Sequence, residues 1–526
     1  MAARLARTCV IAAAALACCS SRSTHAFTAC ARSKPNPRQS RIPLSFGLTK
    51  IPKLPAAAAA ATATAATSSG SAPEATEQEL RQALPDFRQD DELREALARC
   101  EADMLADEAV ISEDGDVPAT RCAGLPVPHD NDTVGSRPAS SSSMSSSCPP
   151  VDGLRRFSRD GVDGVFMGAA GVPLRYRLFP KYSEGKEGRG KLRPGVVLLT
   201  GLMESMAKYG ETIAHLNDSG FSVYTFDHQG QGLSGRLPVP STADPRVAHI
   251  ADFDHYVQDL VHFSKAVLPA TVEPHRSSIK AARVPGAEGG TADDRAAMGE
   301  GEDASSEGGR RMSLSVVGHS MGGLVAVKAA IQEPLLFDGL VLAAPMFAPN
   351  TGKLANGVVG AVAWGATKLG QGYRQERFHD MIASRRSPIR RPARATMEWS
   401  RVTHDKRRLR LWETLRGRVG CVLQRGPSFA WLSMAIGASK RARREVGKLA
   451  VPVLVLEAGQ DRMVRSDGIE RFRRRAPKAL EVRYRLFEGA YHDLFDETDD
   501  IRLEVLRETC SFLSAATTGL SEAEQR

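Results

Sequence analysis

The stretch Leu314-Ser-Val-Val-Gly-His-Ser-Met-Gly-Gly323 decides the fold. Its first four residues form a short, β-branched-rich apolar run, and the residues after Ser320 predict a helix over 321–333. A serine held on a sharp strand-to-helix turn needs small residues two before and two after it, where any larger side chain would collide with the bend. Gly318 and Gly322 occupy those two positions. The turn exposes the serine Oγ, and the helix N-terminus adds partial positive charge beside it. A purely structural glycine turn is the alternative, but it does not call for a strand before and a helix after. Ser320 is therefore the candidate nucleophile.

Working outward, similar apolar runs recur at Gly195–Thr200, Phe221–Phe226, Gly339–Ala344, Val451–Leu456 and Val482–Phe487. Helices are predicted at about 205–218, 252–267, 466–475 and 499–514. Short continuous apolar strands alternating with helices indicate an α/β fold, a mostly parallel central sheet with helices on both faces. In such sheets ligands bind at the carboxyl ends of the strands. Two segments break the rhythm. Residues 270–312 carry almost no large apolar groups and predict a flexible insertion, and residues 348–448 predict a helical cap over the strand ends.

A nucleophilic serine on this turn has its partners later in the chain, the acid before the histidine. Asp461 follows the run Val451–Leu456, and His492 follows Val482–Phe487. His492 is the only histidine after Asp461. Asp467 falls in a predicted helix, while Asp493 and Asp496 sit too close to His492 along the chain to reach round to its Nδ1. The expected relay has His492 taking the Ser320 proton while Asp461 orients the imidazole. The backbone N–H groups of Met321 and of Leu202, in the loop Thr200-Gly-Leu-Met-Glu204, are the expected oxyanion donors.

At these residues the chain resembles the monoacylglycerol lipase and lysophospholipase branch of the α/β-hydrolases, of the serine aminopeptidase S33 type. The resemblance is carried by Gly318-His-Ser-Met-Gly-Gly323 and Gly201-x-x-Glu204. Glu204-Ser-Met-Ala-Lys-Tyr209, Asp227-His-Gln-Gly-Gln-Gly-Leu-Ser-Gly-Arg236 and His249-Ile-Ala-Asp-Phe-Asp-His-Tyr-Val-Gln-Asp259 are similar to the bacterial lysophospholipase L2 type. So are Ala344-Pro-Met-Phe347 and Gly426-Pro-Ser-Phe-Ala-Trp431. The likeness runs over roughly 164–513 without the 270–312 insertion. Thr200 stands where lipase members carry histidine. The resemblance implies an α/β-hydrolase fold with a helical cap, no cofactor or metal, and a single-chain acyl ester as substrate: a lysophospholipid or a monoacylglycerol. Another plastid ester, such as a pigment phytyl ester, and a non-catalytic binding role are the alternatives. Glu204, Asp227 and His228 read as supports of the site. Phe429 and Trp431 line the acyl pocket in one reading and pack in the core in the other.

The remaining features bear on address and partners. Residues 1–26 carry Arg4 and Arg7, then an apolar stretch from Cys9 to Cys19, as a signal peptide does. Phe27–Lys53 is basic, Ser- and Pro-rich and free of acids, resembling a transit peptide. Together they predict a bipartite plastid presequence, with secretion or an endomembrane location as the alternative. Residues 27–150, with their Ala/Thr and Ser runs, predict disorder ahead of a hydrolase domain over 151–526; within them 78–113 predicts a helix. Seven of the nine cysteines precede residue 151, so no disulfide framework or zinc spacing accompanies the folded part. The net charge of +9 concentrates between Arg374 and Lys448, with 20 Lys and Arg against 6 acids. That excess reads either as solvated helix faces or as a basic cap that touches anionic lipid. No nucleic-acid motif accompanies it. Oligomeric state is not legible.

Overall fold

The computed structural model describes residues 149–183, 191–244, 246–272, 312–352, 354–375, 402–418 and 425–523. The predicted presequence, the helix at 78–113, and most of the 270–312 insertion lie outside those residues. The chain enters through α1 (Pro149–Asp160), then β1 (Val162–Met167), β2 (Pro173–Phe179) and β3 (Gly195–Leu199). A 3-10 turn over Met206–Tyr209 leads into α2 (Gly210–Asp218), followed by β4 (Ser222–Phe226), the short β5 (Val247–Ala248) and α3 (Asp254–His262). Next come β6 (Leu314–His319), α4 (Met321–Gln332), β7 (Leu340–Ala343), α5 (Asn356–Ala366) and α6 (Lys406–Arg418). The chain ends with β8 (Arg425–Pro427), α7 (Phe429–Glu445), β9 (Val453–Ala458), α8 (Ser466–Arg475), β10 (Val482–Phe487) and α9 (Asp499–Ala523).

Eight strands form one sheet in the order β1-β2-β4-β3-β6-β7-β9-β10. From β4 to β10 every pairing is parallel, and β2 runs antiparallel to both β1 and β4. The chain builds outward from β3 to β4, then returns to the other side of β3 as β6. The crevice of a doubly wound sheet opens at such a reversal. All six strands read from the sequence are present. The hairpin β1–β2 was not legible.

Each central strand serves two cores, because successive side chains point to opposite faces. Val197, Leu199, Val316, Leu342 and Val455 pack with α3, α4, α5 and α7. Val196, Leu198, Val317, Val341 and Leu454 pack with α1, α2, α6 and α9. Burying a Val or Leu side chain stabilises by roughly 1.5–3 kcal/mol, so a strand apolar on both faces gains twice over. β10 closes one edge with outward Arg483 and Arg485, and such charges discourage pairing with a further strand.

The segment expected to be cap divides. α5 and α7 pack on one another and on the main core. α6 does not join them: Leu411, Trp412 and Leu415 are buried in the opposite core. Arg408, 3% exposed in its side chain, explains the docking. It donates to Glu211 of α2, to Asp405, to Asp499 of α9 and to the Glu497 carbonyl. A guanidinium with that many acceptors is satisfied without water. The reading of this basic stretch as solvated faces therefore fails for Arg408 and for the buried Arg416. Among the described residues no helix is long and apolar enough to cross a membrane.

Candidate active site

Ser320 sits between β6 and α4 with φ 51° and ψ −110°, a strained conformation for a residue with a Cβ. The backbone is held there from both sides. Ser320 N–H donates to the Ala343 carbonyl at 2.9 Å, and its own carbonyl accepts from Met346 at 2.9 Å. The flanking glycines are sterically required. A Cβ on Gly318 would lie 2.7 Å from the Gly322 backbone, and one on Gly322 would lie 2.6 Å from the Leu199 carbonyl oxygen.

His492 and Asp461 arrive from loops after β10 and β9. His492 Nε2 is 2.9 Å from Ser320 Oγ, and Nδ1 is 2.7 Å from Asp461 Oδ2. The other Asp461 oxygen accepts from Met463 and Val464 N–H at 2.7 and 2.8 Å, which fixes the carboxylate plane. Ser320 and His492 are buried. With Nδ1–H donating to the carboxylate, Nε2 is left as an acceptor for the serine hydroxyl. The three side chains read from the sequence thus form one continuous relay. Asp467 instead pairs with Arg465 and Arg471 at the surface.

The loop after β3 presents three successive amides. Gly201 N–H donates to Glu204 Oε2 at 2.5 Å, and Met203 N–H donates to Gln231 Oε1. Leu202 N–H between them has no acceptor among the described residues. Met321 opens α4, where the first amides of a helix have no intrahelical acceptor. The loop Asp227–Arg236 supports this arrangement from behind. Gln231 Nε2 donates to the Gly201 carbonyl, and Asp227 accepts from Met206 and Leu233 N–H. Gly232 permits that packing, since a Cβ there would fall 2.0 Å from Asp227 Oδ2. His228 is fully buried against Phe226 and Tyr256, and burial lowers its pKa to about 4.

Beneath the relay lies a buried charged group that sequence reading missed apart from Glu204. Lys208 Nζ donates to Glu204 Oε1 (2.6 Å), Asp493 Oδ2 (2.7 Å) and Asp496 Oδ2 (3.1 Å). Tyr209 OH donates to Glu204 Oε2 at 2.6 Å. His319 Nδ1 is 3.2 Å from the same oxygen, and its Nε2 is 3.2 Å from the His492 carbonyl. Burial works against the ionised carboxyl of Glu204, yet Lys208 and His319 hold it well below the usual range. Burial would likewise lower His319, but the Glu204 carboxylate raises it. Both imidazole nitrogens face oxygen atoms, Glu204 Oε2 and the His492 carbonyl. Burial pushes Asp496 up to about 6 despite Lys208. The available signal was the Glu204–Lys208 spacing of four, which pairs charges across one helical turn.

Trp431 is buried, packs against Phe253 and donates to Tyr256 OH at 3.3 Å, so it lies in the core. Phe429 is half-buried at the start of α7.

Strand order, strained serine turn and relay together define an α/β-hydrolase. A family profile described as serine aminopeptidase, S33, matches residues 190–278 and 290–499, more than half of the chain, and the chain belongs to that family. Lysophospholipase L2 of Escherichia coli (strain K12) is 26% identical over 373 residues, 69% of this chain and 90% of its own. Monoglyceride lipase of Rattus norvegicus is 23% identical over 209 residues, 38% of this chain and 57% of its own. Among solved structures, the monoacylglycerol lipase of Paleococcus ferrophilus covers 65% of this chain and 99% of its own at 20% identity, with a TM-score of 0.40.

Proposed function

We propose that this protein is a serine hydrolase that cleaves the carboxylic ester of a single-chain acyl lipid through an acyl-enzyme. Ser320 Oγ attacks the ester carbonyl while His492 Nε2 takes its proton, and Asp461 steadies the resulting imidazolium. The N–H groups of Leu202 and Met321 receive the negative oxygen; such donors contribute about 2.7–4 kcal/mol each in acyl transfer. His492 then returns the proton to the leaving alcohol, and water repeats the sequence on the acyl-enzyme. The observation that carries the reading is the unbroken contact from Asp461 through His492 to Ser320 on a strained turn.

A lysophospholipid or a monoacylglycerol is the proposed substrate, supported by relatives bearing those activities in their names. We further propose that the molecule meets its substrate at a lipid surface. In support, the stretch around α5 presents Leu354, Val358, Trp364 (58% exposed) and Leu369 (75% exposed) to solvent, with Lys368 and Arg374 close by in sequence. The signal-like and transit-like patterns of residues 1–53 support a plastid as the proposed location.

The test is acyl release from lysophosphatidylcholine and from monoacylglycerol by the full chain and by its Ser320→Ala variant. Release by the wild type alone, with fluorophosphonate labelling lost in the variant, is the expected result. Labelling that survives Ser320→Ala would end the nucleophile assignment. Cleavage of p-nitrophenyl esters but of neither lipid would end the lipid claim.

A further inference from the structure

We infer that Lys208 is a positioning residue for the reaction, fastening the loop that carries the Leu202 amide to the loop that carries His492. The inference rests on the serine-hydrolase reading above. Lys208 is 4% exposed in its side chain, and a buried ammonium is tolerated only where acceptors replace its water. Its three donors are matched by three carboxylates from two loops: Glu204 after β3, and Asp493 and Asp496 after β10. Each of the two near contacts leads one step further toward the reacting atoms. Glu204 uses its second oxygen to hold the Gly201 amide, the neighbour of Leu202. Asp493 follows His492 directly in the chain.

The arrangement leaves little play. A Cβ on Gly201 would lie 2.8 Å from Glu204 Oε2 and 3.1 Å from His319 Nδ1, so the amide closes onto the carboxylate only because residue 201 is glycine. The two loops come from β3 and from β10, with three strands between them in the sheet order, and His319 of β6 reaches both, toward Glu204 Oε2 and the His492 carbonyl. The ammonium supplies a second link, joining Glu204 Oε1 directly to Asp493 Oδ2. Other charged or titratable groups around it are Tyr209 on its own turn, His319 of β6, Glu211 of α2 and Arg408 of α6. Those facing His492 are Ser320, Asp461, His319 and Asp493.

A displacement of about 1 Å in a reacting group can cost about a hundredfold in rate. Substrate is not touched by Lys208 in this reading, so kcat falls while KM holds. The test uses full-length wild type, Ser320→Ala, Lys208→Met and Asp493→Asn with p-nitrophenyl butyrate across pH. Lys208→Met is expected to lower kcat about a hundredfold with KM within about threefold. It should also move the acid limb of kcat/KM to higher pH, because loss of a nearby cation favours the imidazolium. Asp493→Asn, which removes an anion, should lower kcat about tenfold and move that limb to lower pH. A cooperatively melting Lys208→Met with kcat within threefold of wild type overturns the inference, as does a fall in kcat with neither limb displaced. If Lys208→Met does not fold, Asp493→Asn decides alone by the same two criteria. Absence of serine-dependent hydrolysis in the wild type would instead overturn the functional reading.

Discussion

His319 Nε2 lies 3.2 Å from the carbonyl oxygen of His492, and the two rings stand 4.8 Å apart between centroids. The residue before the serine therefore holds the backbone of the base, while Asp461 holds its side chain. Orientation of the imidazole and placement of its loop are separate tasks, given to separate residues. They can be perturbed one at a time.

Asp461→Asn addresses orientation alone. The amide oxygen can keep the Met463 and Val464 N–H groups, leaving the NH2 to face His492 Nδ1. That stabilises the tautomer with a proton on Nε2, which cannot accept from serine. A fall in kcat of about 10⁴ is expected with the melting temperature nearly unchanged. Steady-state kinetics beside a thermal melt check both halves.

Asp259 of α3 offers a stability test remote from the relay. Burial raises its carboxyl to about 7; one oxygen accepts from Ala169 N–H and the other has no partner among the described residues. The folded chain thus holds this proton where the unfolded chain, titrating near 4, has lost it. Stability from this group is full below pH 4, declines as pH rises, and is gone above about 7, a difference on the order of 4 kcal/mol. Asp259→Asn should match wild type near pH 4 and melt higher at pH 8. Equal melting temperatures at both pH values would refute the assignment.

Arg408→Met removes one cation and leaves Glu211, Asp405 and Asp499 facing one another around α6, although Arg502 still reaches Glu211. Uncovering buried charges in this way typically costs about 3–5 kcal/mol. Denaturant unfolding should show that loss, and sensitivity to protease within 402–418 should rise with it.

The lipid-surface proposal predicts that Trp364→Glu with Leu369→Glu weakens sedimentation with phosphatidylglycerol vesicles at least tenfold. Turnover of soluble p-nitrophenyl butyrate serves as the control. Unchanged vesicle binding would count against α5 as the contacting face.

The sequence disclosed the Ser320–His492–Asp461 cluster because Ser320 and Asp461 each follow a continuous apolar strand, and such strands are conspicuous. β1 and β2 were hidden for the opposite reason. Pro173-Leu-Arg-Tyr-Arg-Leu-Phe179 carries two arginines that are buried in the fold, both reaching Asp163 of β1. Charge normally marks solvent, and with Asp163 and Gly164 interrupting β1 neither strand looked like one, although β10 with its exposed Arg483 and Arg485 reads as a strand. The same inference concealed Lys208, while the broken strand–helix rhythm put α6 in the expected cap rather than in the core where Leu411, Trp412 and Leu415 are buried. In both cases part of what makes burial tolerable lies far away in the chain, Asp493 and Asp496 for Lys208 and Glu211 for Arg408, where local pattern carries no trace of it.

The backbone twist at Ser320 has a consequence for how this molecule fails. A positive φ strains any residue with a Cβ and scarcely troubles glycine, a difference of roughly 1–3 kcal/mol. Ser320→Gly should therefore yield a dead protein that survives more heat than the living one. The hydroxyl and the heat resistance of this turn thus pull in opposite directions at a single position.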